Sequence, residues 1–267
     1  MSRGNRVYDC EEVRTVKDKK ILIVGMGNVG KNIYYEIGAL KPDCYDPYKG
    51  YSGKKEEEYD IAFICVDTPM LPDGSADMYQ VEKALAETDA KICVIKSTVP
   101  PKSTERLKKA TGRRIVFCPE YYGATQHCNN FEFPFTILGG DRDDCNEVVQ
   151  VLQNVYDARH KFILTDSTTA ELAKYMENSF LATKVSFCVQ FWELANQLGV
   201  DYTELRELFL CDPRVNRSHT FVYEDHPYWK SHCLDKDLVA ITSDLYAPFL
   251  RHVINYNEEC KKKYKKE

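Results

Sequence analysis

Nowhere in the 267 residues do about 18 apolar residues run together, so the sequence offers no membrane-crossing helix. Met1 to Lys20 is polar and lacks the apolar stretch of a secretory leader. The eleven cysteines never fall as CxxC pairs, which removes the common zinc and redox spacings, and no other metal-ligand spacing is present. Cys65, Cys93 and Cys118 sit inside apolar runs and read as reduced core thiols, so the expected location is a reducing cytoplasm. Charge of one sign is also scarce. The formal net charge is -5, and the 36 basic residues are spread along the chain, so a nucleic-acid partner is not expected. Only Lys261 to Lys266 concentrates positive charge, and it reads as a solvated helix end rather than a membrane contact. Internal repeats and low-complexity segments are absent.

What is present is a βαβ rhythm. Between Lys20 and about Ile163, short apolar runs (Ile21–Val24, Ile61–Val66, Ile92–Ile95, Ile115–Cys118 and Phe135–Leu138) alternate with helical patterns. Runs rich in Ile and Val, without polar alternation, suit parallel strands covered on both faces. The fold class this predicts is α/β, a Rossmann-type doubly wound parallel sheet occupying residues 1–165.

From 166 to 267 the pattern is helical. Ser167 and Thr168 offer N-caps, Glu171 falls in the first turn, and apolar residues recur through Leu172, Tyr175, Phe180, Val185, Val189, Trp192 and Leu198 before Gly199. A helix of about 30 residues, roughly 45 Å long, exceeds what a small domain needs and is expected to bridge domains or subunits. A second helix should run from near Asp201 to about Phe209. Residues 211–232 read as a long loop, and a last helix should run from Lys236 to about Lys262.

The strand Ile21–Val24 runs straight into Gly25-Met26-Gly27-Asn28-Val29-Gly30, followed by a helical pattern from Asn32. The three glycines serve different ends. Gly25 permits a tight turn, Gly27 admits a pyrophosphate to the backbone, and Gly30 lets helix and strand approach. The N-terminal amides of the helix, Asn28 and Val29 among them, face the phosphates. Asp46 lies 21 residues after Gly25, where a carboxylate accepts from ribose hydroxyls and repels a 2′-phosphate. The cofactor expected is therefore NAD. Lys49 either reaches the ribose or is solvated.

A set of further blocks carries a resemblance. Cys65-Val66-Asp67-Thr68-Pro69, Asp73-Gly74-Ser75, Lys96-Ser97-Thr98-Val99-Pro100-Pro101 and Pro119-Glu120 come first. Ala170 to Tyr175, Asn178 to Lys184, Asp212-Pro213-Arg214-Val215 and Cys233-Leu234-Asp235-Lys236-Asp237 follow. In this order, from Lys20 to about Leu245, they resemble the UDP-glucose and GDP-mannose dehydrogenase family. The resemblance implies NAD-dependent oxidation of the C6 alcohol of a nucleotide sugar to a uronic acid, through a thiohemiacetal and thioester on a cysteine. It implies that Cys233 is the nucleophile, that Lys174 and Asn178 stabilise oxyanions and touch the sugar, and that Asp237 orients a water or tunes the thiol. Glu120 becomes the general base for thioester hydrolysis and a sugar contact, and Thr98 holds a water. Val66, Thr68, Ser97 and Lys236 become cofactor contacts, and Arg214 binds a phosphate or sugar oxygen or pairs with an acid. The family also implies a homodimer through the long helix.

The sequence departs from the family in three places. There is no room within the 267 residues for the family's third, nucleotide-holding domain, so a short form is expected. The glycine-rich loop before the cysteine is replaced by His226-Pro227-Tyr228-Trp229-Lys230-Ser231-His232. Asp235 replaces a proline, and Ala124 stands where an acid is expected. Turned inward, Asp235 would disfavour the thiolate. His226 and His232 near Cys233 read as incidental. Two other readings stay open at this point: an NAD binder that is inactive or borrows its nucleotide domain from a partner chain, and a dehydrogenase of a small hydroxy acid.

Overall fold

The computed structural model describes residues 19–53, 58–121 and 133–265. Ala124 and the side chain of His232 lie outside the described residues, as do the start of the chain through Asp18 and the last two residues.

The first half alternates as the apolar runs demand. Strands β1 (Ile21–Val24), β2 (Asp43–Asp46), β3 (Tyr51–Ser52), β4 (Tyr59–Ile64), β5 (Ala90–Ile95), β6 (Arg114–Phe117), β7 (Phe135–Gly139) and β8 (Lys161–Thr165) form one sheet in the order β3-β2-β1-β4-β5-β6-β7-β8. Helices α1 (Asn28–Ile37), α2 (Tyr79–Glu87), α3 (Ser103–Thr111) and α4 (Arg142–Leu152) cover it. Alternate residues of each central strand feed two cores. Ile21, Ile23, Ile61, Phe63 and Val94 pack with Ile33 and Ile37 of α1 and Val148 and Leu152 of α4. Leu22, Val24, Ala62, Ile64 and Ile95 pack with Val81 and Leu85 of α2 and Leu107 of α3. Both faces of the sheet are therefore covered, which is why its strands read as unbroken apolar runs.

The sheet is not wholly parallel. β3 pairs antiparallel with β2, and β7 antiparallel with β6 through the single register pair Phe117 and Gly139. That reversal has a use. Gly139 is also in register with Thr165, so the chain leaves β8 level with the carboxyl end of β6. The long helix α5 (Ser167–Leu198) starts there.

At 32 residues α5 is about as long as its apolar pattern predicted, roughly 48 Å at 1.5 Å per residue. Its cap is Asp166, which accepts from the Thr169 N–H, and not Ser167 or Thr168; the Ser167 hydroxyl instead donates to Glu105 at 3.0 Å. Glu171 does more than complement its own helix. Fully buried, it accepts from the N–H groups of Lys102 and Thr104 and from the Thr104 hydroxyl, at 2.6 to 2.8 Å, and so closes the N-terminus of α3. Burial, opposed by these bonds, leaves its carboxyl above the usual range.

Helix α6 (Tyr202–Phe209) is capped by Asp201 as expected. The last helix is in fact two, α7 (His232–Asp244) and α8 (Pro248–Tyr264), because Pro248 cannot continue a helix and sits instead in the first turn of a new one. Both pack back on α5. No helix among the described residues is long and apolar enough to cross a membrane.

Candidate active site

The dinucleotide loop is shaped by contact. Gly25 has φ +90° and sits so close to the turn after β4 that a Cβ would come within 2.8 Å of the Cys65 carbonyl oxygen. A Cβ on Gly30 would collide with the carbonyl oxygen of Gly25. Above Gly27, by contrast, the nearest atom to a Cβ position is the Lys49 Nζ, 3.7 Å away. The loop therefore closes against the protein on one side and stays open on the other. α1 begins at Asn28, four residues earlier than its apolar pattern suggested, so that the Asn28 and Val29 amides open the helix and Gly27 is its N-cap. Asp46, at the end of β2, accepts from the Met26 N–H at 2.9 Å, and Lys49 donates to the Met26 carbonyl at 3.1 Å. An open backbone nest, helix amides and a carboxylate at the rim fit an NAD pyrophosphate and ribose.

The other turns at the carboxyl edge lock to each other. Ser97 donates to the Val66 carbonyl at 2.6 Å, and Thr68 donates to the Thr98 carbonyl at 2.9 Å, so β4 and β5 end in one rigid ledge. Thr98 itself is half-buried. At the end of β6, Glu120 accepts from the Tyr121 N–H at 2.9 Å and lies 4.0 Å from the buried Lys96 ammonium. Lys96, which the sequence motifs did not single out for a role of its own, also donates to Cys118 Sγ and the Pro119 carbonyl. A cavity of about 40 Å³ lies beside this group, against Ile33, Tyr156 and His160.

The helical half brings its polar side chains to the same edge. Lys236 of α7 donates to the Thr68 hydroxyl at 3.0 Å and lies 2.6 Å from Asp237. Asp237 accepts from Asn178 Nδ2 at 2.6 Å, and the Asn178 Oδ1 accepts from Lys174 Nζ at 3.3 Å. Lys174, Asn178, Lys236 and Asp237 are all buried. Cys233, at the start of α7, is open to solvent on one side. The protein around its inner side pushes the thiol above its usual range, and Asp237 adds to this while Lys174 and Lys236 oppose it.

Two side chains here do not stand out in the sequence. Glu177 lies 2.6 Å from Lys174 Nζ, and the Tyr121 ring lies 4.8 Å from the same ammonium. Burial and the nearby Glu177 carboxylate push the Tyr121 phenol up to about 12. The spacing contained the signal for Glu177, since it stands three residues after Lys174 and so shares its helix face.

Two alternatives left open by the sequence are narrowed. Asp235 does not face the thiol: it accepts from the Ser231 N–H at 2.8 Å and from Lys261 Nζ of α8 at 2.6 Å. Of the two roles open to Arg214, pairing with an acid is the one seen: its side chain is 87% exposed and pairs with Asp212. His226 stacks on Tyr223 and pairs with Asp225, in keeping with an incidental role. No group of three metal-ligating side chains occurs among the described residues.

Residues 49–160 match the model of the UDP-glucose/GDP-mannose dehydrogenase family NAD binding domain, and residues 168–259 match the central domain of the same family. The chain belongs to the UDP-glucose/GDP-mannose dehydrogenase family. It is 29% identical to the UDP-glucose 6-dehydrogenase of Rickettsia typhi over 269 residues, covering 95% of this chain and 58% of that one. It is 26% identical to the UDP-N-acetyl-D-mannosamine dehydrogenase of Methanococcus aeolicus, covering 95% and 58%. The solved UDP-glucose dehydrogenase of Pyrobaculum islandicum superposes with a TM-score of 0.74 at 25% identity, over 90% of this chain and 68% of that one. The chain thus spans somewhat over half the length of these two sequence relatives. NAD is the cofactor of its nucleotide site.

Proposed function

We propose that this protein oxidises the C6 alcohol of a nucleotide sugar of the UDP-glucose type to the uronic acid, with Cys233 as nucleophile. The observation that carries this reading is the unbroken polar chain from Lys174 through Asn178 and Asp237 to Lys236 and Thr68, which joins the helix of Cys233 to the turn after β4 at the carboxyl edge of the nucleotide-binding sheet. The reading keeps the division into an NAD-binding domain, 1–165, and a helical domain, 166–267, each contributing one side of the site.

Bound NAD supplies the hydride acceptor for both oxidations. The residues of the chain do the rest. As the alcohol becomes an aldehyde, Lys174 and Asn178 face the oxygen on which negative charge develops, each worth a few kcal/mol in a site shielded from water. The Cys233 sulfur then bonds to the aldehyde carbon, the carbonyl π pair moves to oxygen, and that oxygen takes a proton, giving a thiohemiacetal. Its oxidation leaves a thioester. Water, deprotonated by Glu120 and held by Thr98 or Asp237, adds to the thioester carbon; the C–S bond breaks and the thiol is restored. Gly25, Gly27, Asn28, Val29, Gly30, Asp46, Lys49, Val66, Ser97 and Lys236 hold the cofactor.

A panel of UDP- and GDP-sugars, offered with NAD to protein that binds NAD, should yield NADH with at least one member. Absence of turnover across the panel would remove the proposal. Arg214 belongs to a sugar-nucleotide contact only if another chain brings substrate to its exposed face.

A homodimer through α5 completes the reading. Leu172, Met176, Phe180, Phe187, Phe191 and Leu194 recur along one helix face and are all exposed in the single chain. Light scattering should give twice the monomer mass at micromolar concentration; monomer alone would contradict it. In a second reading, a partner chain supplies the nucleotide-holding domain. Native mass spectrometry separates the two, since only the second requires a partner of different mass.

A further inference from the structure

Lys174 is held by its own helix. Its ammonium lies 2.6 Å from Glu177 Oε2 and 3.3 Å from Asn178 Oδ1, with the Tyr121 ring at 4.8 Å as a third neighbour. Glu177 is anchored one turn along the same helix, and only 30% of its side chain is exposed, so it is no freely solvated surface carboxylate. Two of the three ammonium donors are therefore engaged by acceptors of α5 itself.

We propose that Glu177 is a positioning residue of the site: its carboxylate engages the Lys174 ammonium, which reaches the helix of Cys233 through Asn178 and Asp237, and so weakens the pull of that ammonium on the sulfur until a sugar displaces the pair. The inference rests on the reading of Cys233 as nucleophile and adds a residue to it.

The charges around the sulfur agree with this in sign. The charges that act on Cys233 are Asp237 and Lys236 of its own helix and Lys174 and Glu177 of α5, which the Asn178–Asp237 hydrogen bond brings against that helix. The two carboxylates disfavour a thiolate and the two ammonium groups favour it. Removing the Glu177 charge withdraws one repulsion and frees one attraction, so both effects run the same way. A sugar hydroxyl that donates to Glu177 and accepts from Lys174 would do the same, placing thiol activation after substrate arrival.

The test is the rate at which iodoacetamide alkylates Cys233 in the protein without substrate. Trypsin releases Ser231–Lys236, which contains this one cysteine, so its modification is read by mass spectrometry apart from the other ten. At pH 8, Glu177→Gln should be alkylated about five to ten times faster than wild type, a shift of up to about one pKa unit. The acceleration should shrink in a Lys174→Met background, because the lysine transmits part of the effect. Glu177→Asp keeps the charge and should stay within about twofold of wild type. Equal rates in wild type and Glu177→Gln, with matching melting temperatures, would overturn the proposal, as would Glu177→Asp reacting as fast as Glu177→Gln. The assay needs no turnover. If no sugar is oxidised while Glu177→Gln still accelerates alkylation, the enzymatic reading fails and the coupling of Glu177 to the sulfur stands.

Discussion

Asn178 of the long helix donates to Asp237 of α7 at 2.6 Å, across 59 positions of sequence. Asp237 is 1% exposed and also lies against the Lys236 ammonium, so one carboxylate joins the two helices that frame Cys233. Replacing Asp237 by alanine leaves a buried ammonium and a buried carboxamide without their partner. The expected loss is about 3 kcal/mol or more, read as a lower midpoint in urea. Asp237→Asn, which retains an acceptor, should lose less.

Gly30→Ala should abolish NAD binding while leaving the rest of the fold in place. The added methyl has nowhere to go, because the Gly25 carbonyl occupies its position, so the turn that faces the pyrophosphate must open. Titration calorimetry with NAD checks this, with circular dichroism as the control for folding.

Asp46→Asn should narrow the preference for NAD over NADP. The carboxylate at the end of β2 accepts from the loop amide of Met26, and it would repel a 2′-phosphate placed on the same rim. About tenfold weaker NAD binding and measurable NADP binding are expected, from the loss of a charged hydrogen bond on one hand and of a repulsion on the other. Unchanged affinities for both would assign Asp46 to loop structure alone.

Acid stability should depend on Asp60. Burial in β4 works to raise its carboxyl, but the Lys20 N–H, Lys91 and Lys19 outweigh this and hold it below the ordinary 3.8. A depressed carboxylate contributes stability that is complete above the unfolded-state value and is lost as pH falls through the folded one. Wild type should therefore lose stability more steeply than Asp60→Asn below about pH 4, as measured by urea unfolding at a series of pH values.

Much of this architecture was legible in the sequence, for identifiable reasons. Ile21–Val24 and Ile92–Ile95 announce themselves because strands covered on both faces have no polar side to interrupt the run. The loop from Gly25 to Gly30 was legible because backbone crowding admits no other residue at two of its positions. What stayed hidden were relationships set by tertiary geometry. The antiparallel entry of β7 hangs on one register pair, and no local pattern encodes it. Glu171 reads as a first-turn acid, yet its partners are the amides of α3, about 70 positions earlier. Asp235 could be read as a threat to the thiol only because Lys261, which turns it aside, lies 26 residues downstream.

That last arrangement has a temporal consequence. Asn257 grips both the N–H and the carbonyl of Trp229, and Lys261 holds Asp235, so the segment leading into Cys233 owes its shape to α8. During synthesis the nucleotide-binding sheet can fold while α8 is still inside the ribosome. The surroundings of the Cys233 sulfur thus take form after the NAD loop, and a nascent chain would meet dinucleotide before this thiol is set in place.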